Sequence, residues 1–370
     1  MPPEKKKPPR ARAVLRAYGT AALRYPWVLG GTIAAAIIIE TSGVVAPLFL
    51  SQFINLRSAS TPEQGVAWGV FAALIFFTVT DLVGWLGQRL RLYSVNRLES
   101  RTMVDLYQQA FDYLIGHSHE FFISNFTGTL TRRVSRYARS FEQVFDTIVF
   151  NIFPAFLYAV GIIVILSARS LLLGAGLFVW TAFFVYLQYR MMLKRQPLRI
   201  KRTEEDSRVT GALSDAVLNH SNITTFAAAE RESSRFADTI GGWYVALRRV
   251  WDADLWVYGI QGLLAIGISF ALLAGAILLW QRGLLTVGDF VLIQIYIFGL
   301  MNRIWNIGNN MRQLFDSFSE ATEMLDIMEL PHEIQDAPDA RPLVVIEGAV
   351  EFSDVQFEYL DGRSLLKSFN

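Results

Sequence analysis

The chain has 370 residues, 52% of them hydrophobic and 18% charged, with a net charge of +1 and a mean hydropathy of +0.32. That balance is too apolar for an ordinary soluble domain of this size, and it lacks the basic excess of a nucleic-acid binder. With no cysteine, the sequence offers no disulfide or thiolate-metal framework.

Residues 1–25 carry seven Lys and Arg, among them Lys5, Lys6, Lys7, Arg10 and Arg12, and read as a basic tail. Six apolar spans follow, at 26–50, 66–86, 144–166, 171–192, 255–280 and 287–311. Each is long enough to cross about 30 Å of hydrocarbon as a helix. The first is too long for a secretory h-region and lacks a small-residue cleavage pattern, so it reads as a retained anchor. Lys plus Arg number 8 in 88–143 and 10 in 193–254, whereas the three opposite connections carry one each, Arg57, Arg169 and Arg282. By the positive-inside rule both termini and both long loops face the cytoplasm, in a multi-pass protein of the cell (inner) membrane.

Neither long loop has the composition of a linker. From 88 to 115 there is no Pro or Gly, and Leu92, Val95, Leu98, Met103, Leu106, Ala110, Phe111 and Leu114 recur near helical period. The second span is therefore predicted to continue outward as one helix for a further ~40 Å. It turns at His117, Ser118, His119 and Glu120, and a helix returns from Leu130. The other loop repeats the plan, out through 194–213, turning near Asn219 to Asn222, and back through 231–249. Pro197 is expected either to kink the outward arm or to start a helix.

Two stretches on these loops carry a family resemblance. HEFFISNFTGTLTRRVSR, from His119, resembles the first intracellular loop of ABC exporters, where paired aromatics precede a turn, a Thr-Gly and an Arg-bearing helix. GALSDAVLNHSNITTFAAAERE, from Gly211, is similar to the second such loop, with an Asp and Asn before a short transverse helix. The resemblance implies docking tips that transmit movement of a nucleotide-binding domain. It places that coupling on His119, Glu120, Phe121, Phe122, Asn125, Asp215, Asn219 and Asn222.

Past the sixth span the charge inverts, with 13 acidic and 4 basic residues in 312–370. A helix is predicted to about Met328, followed by a polar connector punctuated by Pro331, Pro338 and Pro342. Val350 and Phe352, then Val355, Phe357 and Tyr359, alternate as two strands about a turn at Ser353 and Asp354. This resembles the opening of the family's nucleotide-binding domain, in which an aromatic at the position of Tyr359 stacks on adenine. No G-x-x-x-x-G-K-[ST] phosphate loop occurs in the 370 residues. The expectation is a truncated α/β nucleotide-binding domain, with no ATPase activity of this chain alone and ATP and Mg belonging to a complete transporter.

The sixth span carries Gln294, Asn302, Asn306, Asn310 and Gln313 along one helical stripe, with Arg303 and Asn309 alongside. Polar groups in hydrocarbon are costly and face a bundle interior or a watery cavity. The functional reading is the lining of a translocation pathway; the other is interhelical hydrogen bonding. Glu40, mid-way along the first span, needs a partner, a proton or water, at a cost of roughly 3 kcal/mol. It belongs either to the substrate cavity or to a structural pair with Arg303. Asp81, Asp146, Arg190 and Asp289 lie near span ends, where snorkelling or interfacial water accounts for them. His117, His119 and Glu120 lack companions for a metal site, and a docking loop tip is the reading adopted.

These readings combine into an all-α polytopic membrane protein with six transmembrane helices, two long cytoplasmic helical hairpins and a short β-strand remnant. Its divisions are 1–25 as tail, 26–328 as transmembrane domain, 329–347 as linker and 348–370 as the start of the nucleotide-binding domain. The resemblance implies the membrane subunit of an ATP-driven exporter. That subunit would work by alternating access on an amphipathic or otherwise unidentified cargo, as a homo- or heterodimer in the bilayer with a nucleotide-binding domain. A non-catalytic binding or regulatory subunit of a partner transporter is the alternative.

Overall fold

The computed structural model describes residues 10–59, 68–305, 307–337, 339–342, 344–345, 347–358 and 364–370. Its helices are α1 (Ala11–Ala22), α2 (Pro26–Ala59), α3 (Trp68–Ile115), α4 (His119–Ser124), α5 (Thr127–Asp146), α6 (Phe153–Arg169), α7 (Leu171–Leu218), α8 (His220–Thr225), α9 (Ala229–Gln281), α10 (Val287–Ile304) and α11 (Ile307–Met328). Two strands, β1 (Val355–Glu358) and β2 (Ser364–Phe369), close the chain. Six helical stretches are long and apolar enough to cross a membrane, beginning at Pro26, Trp68, Thr127, Leu171, Ala229 and Val287. Their outward faces are greasy: Trp68, Phe71, Ile75, Trp85, Phe178, Leu263 and Phe270 are all exposed. Such a surface suits acyl chains and not water.

At 48 residues each, α3 and α7 are about 72 Å long, more than twice the hydrocarbon thickness. The surplus forms the hairpins. Hairpin 1 is α3, the α4 tip and α5; hairpin 2 is α7, the α8 tip and α9. The return arm of hairpin 1 starts at Thr127 and reaches α6 through a π-helical stretch, Thr147–Ile152, that periodicity does not announce. Helix α7 runs through Pro197 without a break. Within a long helix the missing N–H costs one bond, which neighbouring turns absorb.

Small residues set the closest helix pairing. A Cβ built on Gly31 would lie 3.1 Å from the Ser94 hydroxyl, and one on Gly87 2.9 Å from Ile38. α2 and α3 therefore pack at a separation that larger side chains would prevent. Two apolar cores result. One lies at membrane depth, with Tyr158, Ile162, Leu177, Phe184, Leu292 and Tyr296. The other lies at the hairpin side, joining Tyr18, Leu106, Phe121, Tyr137, Phe141, Phe318 and Met324 from α1, α3, α4, α5 and α11.

Helix α11 ends at Met328, where the sequence places the end of the sixth helix. Three other expectations need correction. Residues 11–22 are not a bare tail but the amphipathic helix α1, which buries Val14, Tyr18, Ala21 and Ala22. Only the second half of the proposed strand pair forms: β1 pairs antiparallel with β2, Val355 opposite Phe369 and Glu358 opposite Ser364, and 350–352 is not a strand. Asp354, at φ 47°, makes the turn into β1. Asp289 is not a snorkelling end charge: its buried carboxylate accepts from the Thr286 N–H at 2.8 Å and hydroxyl at 2.7 Å, capping α10.

Candidate translocation face and coupling tips

The stripe read on the sixth span divides between two neighbours. Arg303 turns toward α2, where its Nε and Nη2 donate to Glu40 Oε2 at 2.9 and 2.7 Å. Its guanidinium also lies 3.8 Å from the Tyr158 ring centroid and donates from Nη1 to the Gly299 carbonyl at 3.1 Å. The buried Glu40 thus has its charge partner, and the pair ties α2, α6 and α10 together. Gln294 and Asn302 turn instead toward α9. They line a groove of about 800 Å³ with Ser269, Phe270, Phe298 and Trp305. Gln294 Oε1 is buried there without a hydrogen-bond partner. The groove is apolar with amide edges and carries no charged side chain in its lining. Asn310 is half-buried on α11, and Asn306 lies outside the described residues.

Sequence reasoning missed four polar side chains beside this face. Gln261 is buried in α9 and donates to the Trp305 carbonyl at 3.3 Å. Arg195 and Asp254 pair at 2.6 Å across α7 and α9, with Arg199 3.4 Å from the same carboxylate and from Asn309. Gln261 was findable as a lone amide within an apolar run; the pair required the register of two helices 59 positions apart. Elsewhere Glu99, Glu142 and Asp146 bring carboxylate oxygens within 4.8 Å of one another.

The two tips differ in environment. In hairpin 1, Ser118 caps α4 by accepting from the Phe121 N–H at 3.4 Å, and Asn125 donates to the Phe121 carbonyl at 2.9 Å. Phe121 is buried and stacks on His117 at 4.1 Å between centroids, Phe122 is half-buried, and His119 and Glu120 are exposed. His117 is itself buried, with Nδ1 3.2 Å from Glu333 on the segment after α11. The Ser118 N–H, Glu333's own N–H and then His117 hold the Glu333 carboxyl down at about 2. In hairpin 2, no residue of α8 is buried. Asp215, Asn219 and Asn222 are exposed and border a cavity of about 630 Å³ with Arg208, Arg231 and Arg235. Leu218 and Phe226 stand 83% and 76% exposed. Tyr359 lies outside the described residues.

Six membrane-length helices whose extensions fold into two hairpins, with a polar-edged groove beside the last span, define a membrane transporter domain. Residues 29–304 match the ABC transporter transmembrane region, and the chain belongs to that family. Over 336 residues it is 28% identical to ATP-binding cassette sub-family B member 6 of Rattus norvegicus, covering 88% of this chain and 39% of that protein. It is 25% identical over 347 residues to an ATM1-type heavy metal exporter of Novosphingobium aromaticivorans, covering 91% of this chain and 55% of the other. Among solved structures, a bacterial Atm1-family ABC exporter with ATP bound shares the fold at a TM-score of 0.65 and 23% identity, over 91% of this chain and 60% of that one. The chain spans between about a third and three fifths of the length of the relatives it matches.

Proposed function

We propose that the chain is the membrane-spanning portion of an ATP-driven exporter half, with both hairpins on the cytoplasmic side. It pairs with a second half, identical or not, around one pathway. The observation that carries this reading is the tip of hairpin 2, where Leu218 and Phe226 are exposed and no residue of α8 is buried among the described residues. Apolar tips on a helical arm of this length call for a docking partner. A nucleotide-binding domain is the partner that the family supplies. The chain's own residues do not fit an ATP site, since no phosphate-holding loop motif occurs in the sequence. ATP and Mg are therefore assigned to the nucleotide-binding domain of the complete transporter.

Gln294, Asn302 and the Glu40–Arg303 pair are proposed to border the cargo path, and the amide-edged apolar groove suits an amphipathic cargo. Movement at the tips shifts the bundle between inward- and outward-facing states by favouring one of two packings. The test uses the chain joined to a functional nucleotide-binding domain in proteoliposomes. Substituting Asp215 or Asn222 by bulky residues is expected to lower cargo-stimulated ATPase and transport while nucleotide binding persists. Asn302→Ala is expected to alter cargo affinity with basal ATPase kept. The reverse pattern overturns the division of roles. Purified alone, the 370-residue chain is expected to show no Mg-dependent hydrolysis.

A further inference from the structure

The segment after α11 has the composition of a swinging linker, yet it is bonded to hairpin 1 at consecutive points. The Tyr113 hydroxyl donates to the Leu330 carbonyl at 2.6 Å, and His332 Nε2 donates back to the Tyr113 carbonyl at 2.9 Å. Glu333 accepts from the Ser118 N–H at 3.1 Å and meets His117 on the same oxygen. The rings add shape: His332 sits 4.4 Å from the Tyr113 centroid and 4.8 Å from that of His117, which stacks in turn on Phe121. The start of the segment is held from the other side, where Arg10 pairs with Glu329 and lies 3.7 Å from Asp326, and its N–H donates to Thr322 at 3.2 Å. Each bond alone is modest, because water competes for the same groups. Converging on a few consecutive residues and on both faces, they remove the freedom that a proline-punctuated connector otherwise has.

We propose that residues 329–333 form a fixed strut, and that Tyr113, His117 and Glu333 are positioning residues that pass displacement of whatever follows the strut directly to hairpin 1 of the same chain. The use of that displacement for transport rests on the exporter reading; the strut itself does not. Were the connector slack, movement beyond it would be spent on its own torsions before reaching the hairpin. With the bonds in place, hairpin 1 moves with the chain that leaves it, whereas hairpin 2, which has no such contact among the described residues, is addressed independently.

The experiment measures distances in the 370-residue chain in nanodiscs, so its outcome is independent of ATP hydrolysis. With no native cysteine, spin labels can be placed by substitution alone. The pairs are Glu120→Cys with Asp336→Cys, Glu120→Cys with Ser221→Cys, and Ser221→Cys with Asp336→Cys. The unsubstituted chain is expected to give a narrow distribution for the first pair and equal widths for the other two. In Tyr113→Phe/Glu333→Gln the first distribution roughly doubles in width. The 221–336 distribution becomes broader than that of 120–221, which stays as it was. Glu333→Asp, which keeps the charge, is expected to recover part of the narrowing. A change in all three pairs together marks general loosening of the fold and overturns the proposal. So does a broad first pair in the unsubstituted chain, or a double variant that leaves all widths unchanged.

Discussion

Hairpin 1 and hairpin 2 have nearly the same length and the same plan of long arm, short tip and long arm, but their arms are joined by different forces. The arms of hairpin 1 close on Leu106, Ala110, Leu130, Tyr137 and Phe141, a core shared with α1 and α11. In hairpin 2, α7 buries no residue after Arg195 and α9 none before Ala246. Its arms are joined by polar pairs, Arg195 with Asp254 and the Trp243 indole N–H with Asp206. A helix of tens of residues can thus be part of a domain's core or an arm extended from it, and amphipathicity alone does not say which. The second hairpin thus has few of the buried apolar contacts that resist local opening.

The largest effect expected from this contrast is at the tips. Phe121→Ala removes a buried ring that stacks on His117 and is expected to cost about 3 kcal/mol. Phe226→Ala removes a ring already in solvent and is expected to change the stability of the isolated chain by less than ~0.5 kcal/mol. Denaturant titration in mixed micelles, followed by helix signal and by pulse proteolysis, reads both. Equal costs would mean that hairpin 2 is packed in solution against something of its own chain.

Next in size is the root of hairpin 2. Arg195→Met leaves Asp254 short of its 2.6 Å partner, and breaking a buried ion pair from one side costs several kcal/mol. Arg199 remains 3.4 Å away and takes up part of the charge, so about 2 kcal/mol is the expected loss. Adding Asp254→Asn should recover part of it, and the double-mutant cycle measures the coupling. Hydrogen exchange is expected to quicken in 195–254 and to stay unchanged in hairpin 1. Quickening of both would join the hairpins into a single cooperative unit.

The caps give a smaller difference. Ser118→Ala removes the side chain that accepts from the Phe121 N–H and is expected to cost about 1 kcal/mol. Asn219 precedes α8 without capping it, its amide donating instead to the Asp215 carbonyl at 2.9 Å, so Asn219→Ala should cost only a few tenths. The same titration separates the two.

What the sequence made legible follows from what is local. The spans, the hairpins and both turns appear as periodicity and its interruption, which one helix carries by itself. Helix α1 was equally local, with Val14, Tyr18 and Ala21 on one face, but its Arg residues made it read as a tail. β2 became visible only through its pairing with β1. Of the proposed pathway residues, Glu40 and Arg303 invited pairing because a buried charge demands one. That Gln294 and Asn302 face α9 instead depends on where a neighbouring helix runs. His117 and Glu333 lie 216 positions apart, and no rule of spacing joins them.

The smallest effect concerns pH at that last contact. A carboxyl held at about 2, below its ordinary 4.5, binds its proton less readily in the folded chain than in the unfolded one. Its contribution is therefore complete above 4.5 and is lost as pH falls from there toward about 2. The groups around it do not reverse the sign. His117 pairs with the carboxylate, His332 lies against His117, and Tyr113 and Ser118 bear no charge there. Exchange of the Ser118 amide, corrected for its intrinsic rate, is expected to stay slow from neutral pH down to the ordinary carboxylate range and to quicken below it. In Glu333→Gln it should be fast throughout, while amides of α8, which meet no such group, should show no step in either chain. A step near neutral pH would place control of the contact on the histidines and would remove the carboxylate as the element that distinguishes hairpin 1 from hairpin 2.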